Sequence, residues 1–252
     1  MGKAKEILIK PISSKSANEL CKLFHYSGKV VPNSQLHFGV FLNDICQGVM
    51  QFGPSMDKRK TVTLVRGTKF NDFLELNRMA FSDGLPRNSE SRAISIAIKI
   101  IKKRYPNIEW ILTYADATQC GDGTIYRAAG FTLTGIKQNK TILKLPNGQI
   151  VADKTLNNAN NQAKGLNAGK MKKMGAKPLP GFQLRYIYFI KESAKSRLVP
   201  EPIDFSEIKK MKAAMYKGMR IEHESNAVSF HETEGGAVPT DALHIEVLDG
   251  GR

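Results

Sequence analysis

The sequence predicts a mixed α/β (α+β) chain built round one central sheet flanked by helices, with a C-terminal extension. Three observations carry that reading. The strongly periodic stretch Ser91–Pro106 stands between the apolar segments Phe73–Phe81 and Glu109–Asp116, so strand, helix and strand follow one another. "LHFGVFLNDICQGVMQFG" (Leu36–Gly53) is apolar on both sides of Asn43-Asp44, the mark of a hairpin. Apolar residues make up 41% of the 252, enough to bury a core, and no apolar run is long enough to cross a bilayer.

The elements follow in order. "EILIKPI" (Glu6–Ile12) alternates and reads as the first strand, not as a secretion signal. In "SSKSANELCKLFHY" Ser13 or Ser14 can cap a helix whose apolar face is Ala17, Leu20, Cys21, Leu23 and Phe24. It should stop near Ser27-Gly28. After the hairpin, "FLELNRMAF" is a strand, Ser91–Pro106 a helix ended by its proline, and "EWILTYAD" a central strand. "CGDGTIYRAAGF" (Cys120–Phe131) reads as a turn, a short helix and a strand start, with Gly130 as the left-handed residue after the helix. "KTILKLPNGQIVA" is a hairpin about Asn147-Gly148. Residues 153–181 are rich in Asn, Lys and Gly and read as a long basic flexible loop. "FQLRYIYFI" (Phe182–Ile190) returns to strand. A catalytic domain over 1–190 is therefore expected. Residues 191–252 should add a helix over Ile203–Met219 and an acidic tail, either disordered or laid against the basic domain.

Charge narrows the partner. Residues 1–190 carry 29 of the 38 Lys/Arg and 12 of the 23 Asp/Glu, a net of +17 against +15 for the whole chain. Such a surplus favours a polyanion through counterion release. Lys164, Lys170, Lys172 and Lys173, within the basic loop, are candidate DNA contacts. Cys21, Cys46 and Cys120 show no CxxC spacing, which argues against a disulfide framework or zinc ribbon and fits a reducing compartment.

Two places carry chemistry. The loop "SDGLPRNSESRA" sets Asn88, Ser89 and Ser91 at the start of a helix, with Arg87 and Arg92 beside them. Free N–H groups and the positive helix end suit an anion there; capping by Ser89 or Ser91 explains one serine but not an arginine on each side. In the second place, "AAGF" is explained by close packing and a helix stop. Tyr126 is not, since so short a helix needs no phenol.

"Tyr126-Arg127-Ala128-Ala129-Gly130-Phe131" resembles the closing motif of the GNAT acyltransferases, and the strand–loop–helix–strand order before it is also GNAT-like. In that family glycines of the loop cradle the cofactor pyrophosphate, and the helical tyrosine can protonate a leaving thiolate. Here Asn88, Ser91 and Ala93 align to the loop and leave it without glycine. A closer resemblance is to the Mom proteins of bacteriophages, a GNAT-related group. It rests on "FHYSGKVV" (Phe24–Val31), "LNRMAFSDGLPRNSESRAIS" (Leu76–Ser95) and "TYADATQCGDGTIYRAAGF" (Thr113–Phe131).

That resemblance implies conversion of the exocyclic amine of adenine in double-stranded DNA to a carbamoylmethyl derivative, which protects phage DNA from restriction in the host cytoplasm. It implies His25, Tyr26, Asp116 and Tyr126 as catalytic residues, with Arg78 and Ser91 at the donor site. It also implies an iron ion, for which His25 and Asp116 are suitable ligand types and His37 or Tyr26 could be a third. Asp116 is the candidate general base, and Tyr126 the proton donor or oxyanion partner. The donor stays open between acetyl-CoA and a glycyl donor such as a glycyl-tRNA. The rival expectations are an ordinary GNAT acetylating a protein or small-molecule amine, and a basic DNA-binding protein without activity.

Overall fold

The computed structural model describes residues 3–118, 121–157, 165, 167–213, 215–216 and 219–220. Cys120, Lys164 and the acidic tail lie outside these residues. β1 (Leu8–Pro11) and α1 (Ser14–Phe24) lead into the hairpin β2 (Leu36–Leu42) and β3 (Ile45–Gly53). A short α2 (Lys58–Val62) precedes β4 (Phe73–Phe81), α3 (Ser89–Arg104) and β5 (Trp110–Asp116). α4 (Thr124–Ala128), β6 (Thr132–Gln138), β7 (Ile142–Lys144), β8 (Ile150–Ala152), α5 (Asp153–Leu156), β9 (Lys177–Pro178) and β10 (Phe182–Phe189) follow.

Seven strands form one mixed sheet in the order β1-β2-β3-β4-β5-β10-β6. Every pairing is antiparallel except β4 with β5. That parallel pair holds only over Phe73–Glu75 against Trp110–Leu112. Beyond it the strands part, so Arg78 and Asp116 flank a gap in the sheet rather than a ladder. The β2–β3 turn is made as its residues predict: Asn43 and Asp44 sit at φ 51° and 62°, the left-handed pair of a tight hairpin.

Helices cover both faces. α3 lays Ala93, Ile94, Ala97, Ile98 and Ile101 on one face, against Met50, Phe52, Leu74, Leu76, Ile111 and Leu133. On the other, α1 packs Ala17, Leu20 and Cys21 on Phe41, Val49 and Ala80. The start of β5 on that second face is covered by Val62, Val65, Ala194 and Leu198, which close over Trp110 and Leu112. Between these two covers, the far half of β5 is left open.

Three expectations differ from what stands. The stretch 153–181 contains α5, a helix at Ala168–Lys173 and β9; these pack Leu156, Ala168, Met171 and Ala176 on Leu143 and Val151 of a three-stranded sheet, β8-β7-β9. Its apolar residues are too far apart in sequence to show a period. The helix over Ile203–Met219 is confined to Ser206–Lys210, because Lys212 turns left-handed (φ 49°) and Ala213 donates back to the Ile208 carbonyl. The two-residue strands Met215–Tyr216 and Met219–Arg220 then pair. Finally, neither serine caps α3. Asn88 takes the cap position in the left-handed region, and Ser89 Oγ donates to the Pro86 carbonyl instead.

Candidate active site

The site assembles where β4 and β5 separate. α1 is capped by Ser13, whose side chain accepts from the Ser16 N–H, and it ends at Phe24. His25 and Tyr26 are thereby delivered over the sheet with their rings 4.3 Å apart. Tyr26 Oη donates to Asp116 Oδ2 at 3.0 Å, joining residues ninety positions apart. The other carboxylate oxygen, Oδ1, accepts from the backbone N–H (3.1 Å) and hydroxyl of Thr118. A carboxylate has about four lone-pair sites, so three donors leave one for an incoming N–H.

Arg78 enters from β4. Its guanidinium donates to the carbonyls of Lys29 (3.4 Å) and Asn77 (3.1 Å), and its charge is felt at His25 and Cys21. Below it, the fully buried Gln51 accepts from Cys21 Sγ, donates to Asn18, and lies 3.4 Å from His37 Nδ1. Burial pushes the Cys21 thiol up to about 11, which makes it a neutral packing group.

Burial, and then the Arg78 charge, lower the His25 pKa to about 4. Its Nδ1 accepts from the Ser27 N–H (3.2 Å) and lies 2.8 Å from Ser27 Oγ, so the single ring proton belongs on Nε2. The linkage sign follows. The folded pKa is below the ordinary 6.5, so the folded state binds fewer protons between those values. Stability from this group is complete above about pH 6.5 and drains as the pH falls toward 4. The wild-type urea midpoint should drop between about pH 7.5 and pH 5, and His25→Gln should shrink that drop. An equal drop in both proteins would refute the assignment.

Tyr114 was not singled out by the sequence reading. It is 42% exposed, on the same strand face as Asp116, and stands opposite Arg185 of β10. The alternation Tyr114-Ala115-Asp116 is the signal that could have found it, because residues two apart share a face. Arg185 is itself held by Thr134, through Nε at 3.0 Å.

The remaining candidates fall into other groups. Asn88, Ser91 and Arg92 line a second cleft of about 290 Å³ with Ser95, Lys99 and Ala128. Arg92 reaches the Lys5 carbonyl with one terminal nitrogen, while its buried Nε has no partner. Ser89 is buried beneath the cleft, and Arg87 is exposed beside it. Arg78 belongs with His25 and not with this cleft. Tyr126 packs on the α3 side of the sheet, 8% exposed, with its ring against Tyr186 (5.5 Å) and Phe131 (5.7 Å). α4 is held in place from both ends. Gly123 (φ 77°) allows Tyr186 to pass so close that a Cβ would meet its ring at 2.6 Å, and Gly130 (φ 86°) lets Phe131 donate back to the Tyr126 carbonyl. Lys170, Lys172 and Lys173 are exposed on their short helix, Lys172 in an ion pair with Asp153 at 3.4 Å.

Among the described residues, no three His, Cys, Asp or Glu side chains gather as a metal site. His25 gives its Nδ1 to Ser27, and Asp116 keeps one lone pair beside the donors from Tyr26 and Thr118, short of a set of three ligands. These residues do not by themselves compose an iron centre.

The model of the Mom protein family matches residues 6–207. The methylcarbamoylase mom of Escherichia phage Mu is 36% identical over 199 residues, covering 77% of this chain and 80% of that protein. Among solved structures, FeeM, an N-acyl amino acid synthase from uncultured soil microbes, aligns with a TM-score of 0.44 at 14% identity, over 77% of this chain and 95% of its own. The ribosomal-protein-S18-alanine N-acetyltransferase of Escherichia coli aligns at 0.41 and 11% identity, over 73% and 94%.

Proposed function

The chain belongs to the Mom protein family, and from that premise we propose that it is a transferase that rebuilds the exocyclic amine of adenine in DNA as a carbamoylmethyl group, shielding phage DNA from restriction in the host cytoplasm. The observation that carries this reading is the Tyr26–Asp116 hydrogen bond beside Arg78 at the open gap between β4 and β5.

The adenine amine is a weak nucleophile because its lone pair is shared with the ring. It needs a base aimed at its proton and a fixed position. Asp116 supplies the base through its free lone pair, and Tyr26 and Thr118 hold that carboxylate still. A base in duplex DNA must be swung out to reach it. Tyr114 offers the extruded ring a stacking surface on the same strand face. The donor's phosphates are assigned to the cleft of Asn88, Ser91, Arg92 and Lys99, where an unpartnered buried N–H favours an anion. Tyr126, on the helix that gives Ala128 to that cleft, is assigned to protonating the leaving group. The exposed Lys170, Lys172 and Lys173 are assigned to the DNA backbone.

The product's atoms select the donor. A carbamoylmethyl group contains two carbons and a nitrogen, and an acetyl group brings no nitrogen. A glycyl ester, such as a glycyl-tRNA, brings all three. The amine attacks the ester carbonyl, the ester C–O bond breaks, and the departing hydroxyl takes a proton. The glycyl amine then attacks the ring carbon that bears the new amide, closing a five-membered spiro ring. Breaking the original carbon–nitrogen bond opens that ring to the carbamoylmethyl product. Nothing is oxidised or reduced, and no step is routed through a metal.

The test is mass spectrometry of nucleosides from DNA co-expressed with the chain and fed glycine labelled at carbon and nitrogen. The expected result is a 2′-deoxyadenosine heavier by one glycine residue and carrying both labels. Tyr114→Ala should lower its yield and Tyr114→Phe should not. Modified but unlabelled deoxyadenosine would overturn the donor, and unmodified deoxyadenosine would overturn the function.

A further inference from the structure

At the other end of the parallel strands lies a cleft that the proposed reaction does not use. It encloses about 190 Å³ between the start of β4, α2 and the residues that follow α3. Its base is apolar, with Leu36, Phe73 and Leu74. Its mouth carries two exposed aromatic rings, Phe70 at 52% and Tyr105 at 36%. Lys58 stands over the Phe70 ring at 5.7 Å and donates to Asn71 Oδ1 at 3.0 Å. Asn107 donates to the Asn71 carbonyl at 2.7 Å, which fixes the loop that presents Phe70.

The rim is predominantly basic. Residues 58–69 contain Lys58, Arg59, Lys60, Arg66 and Lys69 and no acidic side chain. The end of α3 adds Lys102, Lys103 and Arg104, all exposed. The nearby carboxylates are turned to local work: Asp57 pairs with Lys60 at 3.5 Å, and Asp72 accepts the Lys69 N–H.

Exposed rings for stacking, carboxamides at the mouth and a cationic rim are together what an unpaired nucleotide requires. A peptide partner would be served by the rings but not by the unbalanced charge, and a paired base would have no open face to offer. We propose that the cleft between Phe70 and Tyr105 is a binding site for an unpaired nucleotide of a nucleic-acid chain. Its base stacks on Phe70 and its phosphates run along Lys58 and the end of α3. The cleft opens near the start of β5 and Asp116 lies at its end, about 20 Å away at the rise of a strand. A strand held in the cleft is therefore gripped several nucleotides from the reacting base or donor end. The inference rests on the nucleic-acid reading of this chain for its partner, but on none of the catalytic residues.

The test uses the full chain with fluorescein-labelled single-stranded DNA and RNA oligonucleotides of one sequence, followed by anisotropy. Phe70→Ala should weaken binding by about 5- to 150-fold, the range for losing one stacked base. Phe70→Trp should retain it. Lys58→Ala should reduce the salt slope by about one. The stronger of the DNA and RNA arms identifies the source of the strand. Oligonucleotides carrying 5-iodouracil should photo-crosslink to the peptides holding Phe70 or Tyr105. Unchanged affinity in Phe70→Ala, or crosslinks only elsewhere, would overturn the proposal. Both results stand apart from the nucleoside assay. Modified adenosine with a silent Phe70 defeats the cleft alone, and a Phe70-dependent complex without modified adenosine defeats the reaction alone.

Discussion

Asp116→Asn should lower the yield of modified adenosine by roughly 10²- to 10⁴-fold, the usual worth of a general base. The change keeps the side chain's shape and removes its ability to take a proton. Its one oxygen can still accept from Thr118 or from Tyr26, so one hydrogen bond is lost at a cost of about 1 kcal/mol. The expected catalytic loss corresponds to about 3–5.5 kcal/mol, well above that structural cost. Tyr26→Phe supplies the comparison. It removes the hydrogen bond to Asp116 while keeping the ring and the carboxylate, so its loss should be the smaller of the two. A Asp116→Asn variant that folds and keeps its yield within about tenfold would place the base elsewhere.

Trp110→Ala should destabilise the protein by about 3–5 kcal/mol, near the limit for one buried aromatic. Trp110 is the largest fully buried side chain. It stacks on Phe73 with ring centroids 4.5 Å apart, and its Nε1–H donates to Thr68 Oγ1 at 3.0 Å. Val65, Leu112, Ile187 and Ala194 share its cluster, so truncation opens a void where β4, β5 and β10 meet two covering segments. Against a typical total stability of about 5–15 kcal/mol, the loss should show as a large fall in the urea midpoint followed by circular dichroism. Trp110→Phe keeps a ring against Phe73 but gives up the one hydrogen bond and part of the buried ring, so a smaller loss of about 1–3 kcal/mol is expected. Because Trp110 opens the strand that Asp116 closes, the phenylalanine variant should modify adenine normally per folded molecule. A mild alanine variant would mean that this cluster does not hold the covers on the sheet.

Much of the fold is legible in the sequence, and for local reasons. The hairpin at Asn43-Asp44 could be read because its two turn residues tolerate the left-handed region. The stop at Gly130-Phe131 could be read from a glycine that only one helix ending requires. α3 was visible because its apolar residues repeat at the helical period, though it begins two residues earlier than the pattern did. Two strands of the small sheet were legible as the hairpin about Asn147-Gly148, but its third strand and the helices over 153–173 were not, because Leu156, Ala168, Met171 and Ala176 meet Leu143 and Val151 across distant turns and share no period. The early end of the helix after Ser206 was hidden too, since a lysine gives no warning that it will turn left-handed.

By itself, then, the sequence determined the order of the main sheet's strands with α1, α3 and α4, the excess of positive charge on residues 1–190 and the residue types of the chemistry. Each of these is a property of neighbours along the chain or of composition. The tertiary structure alone decided that Tyr26 would reach Asp116, that Arg78 would stand with His25 and apart from Asn88, Ser91 and Arg92, and that Phe70 and Tyr105 would share a cleft. Those meetings depend on where β4 and β5 stop pairing and on which sheet face each helix covers. Long-range register fixes both, and no local stretch of residues encodes it.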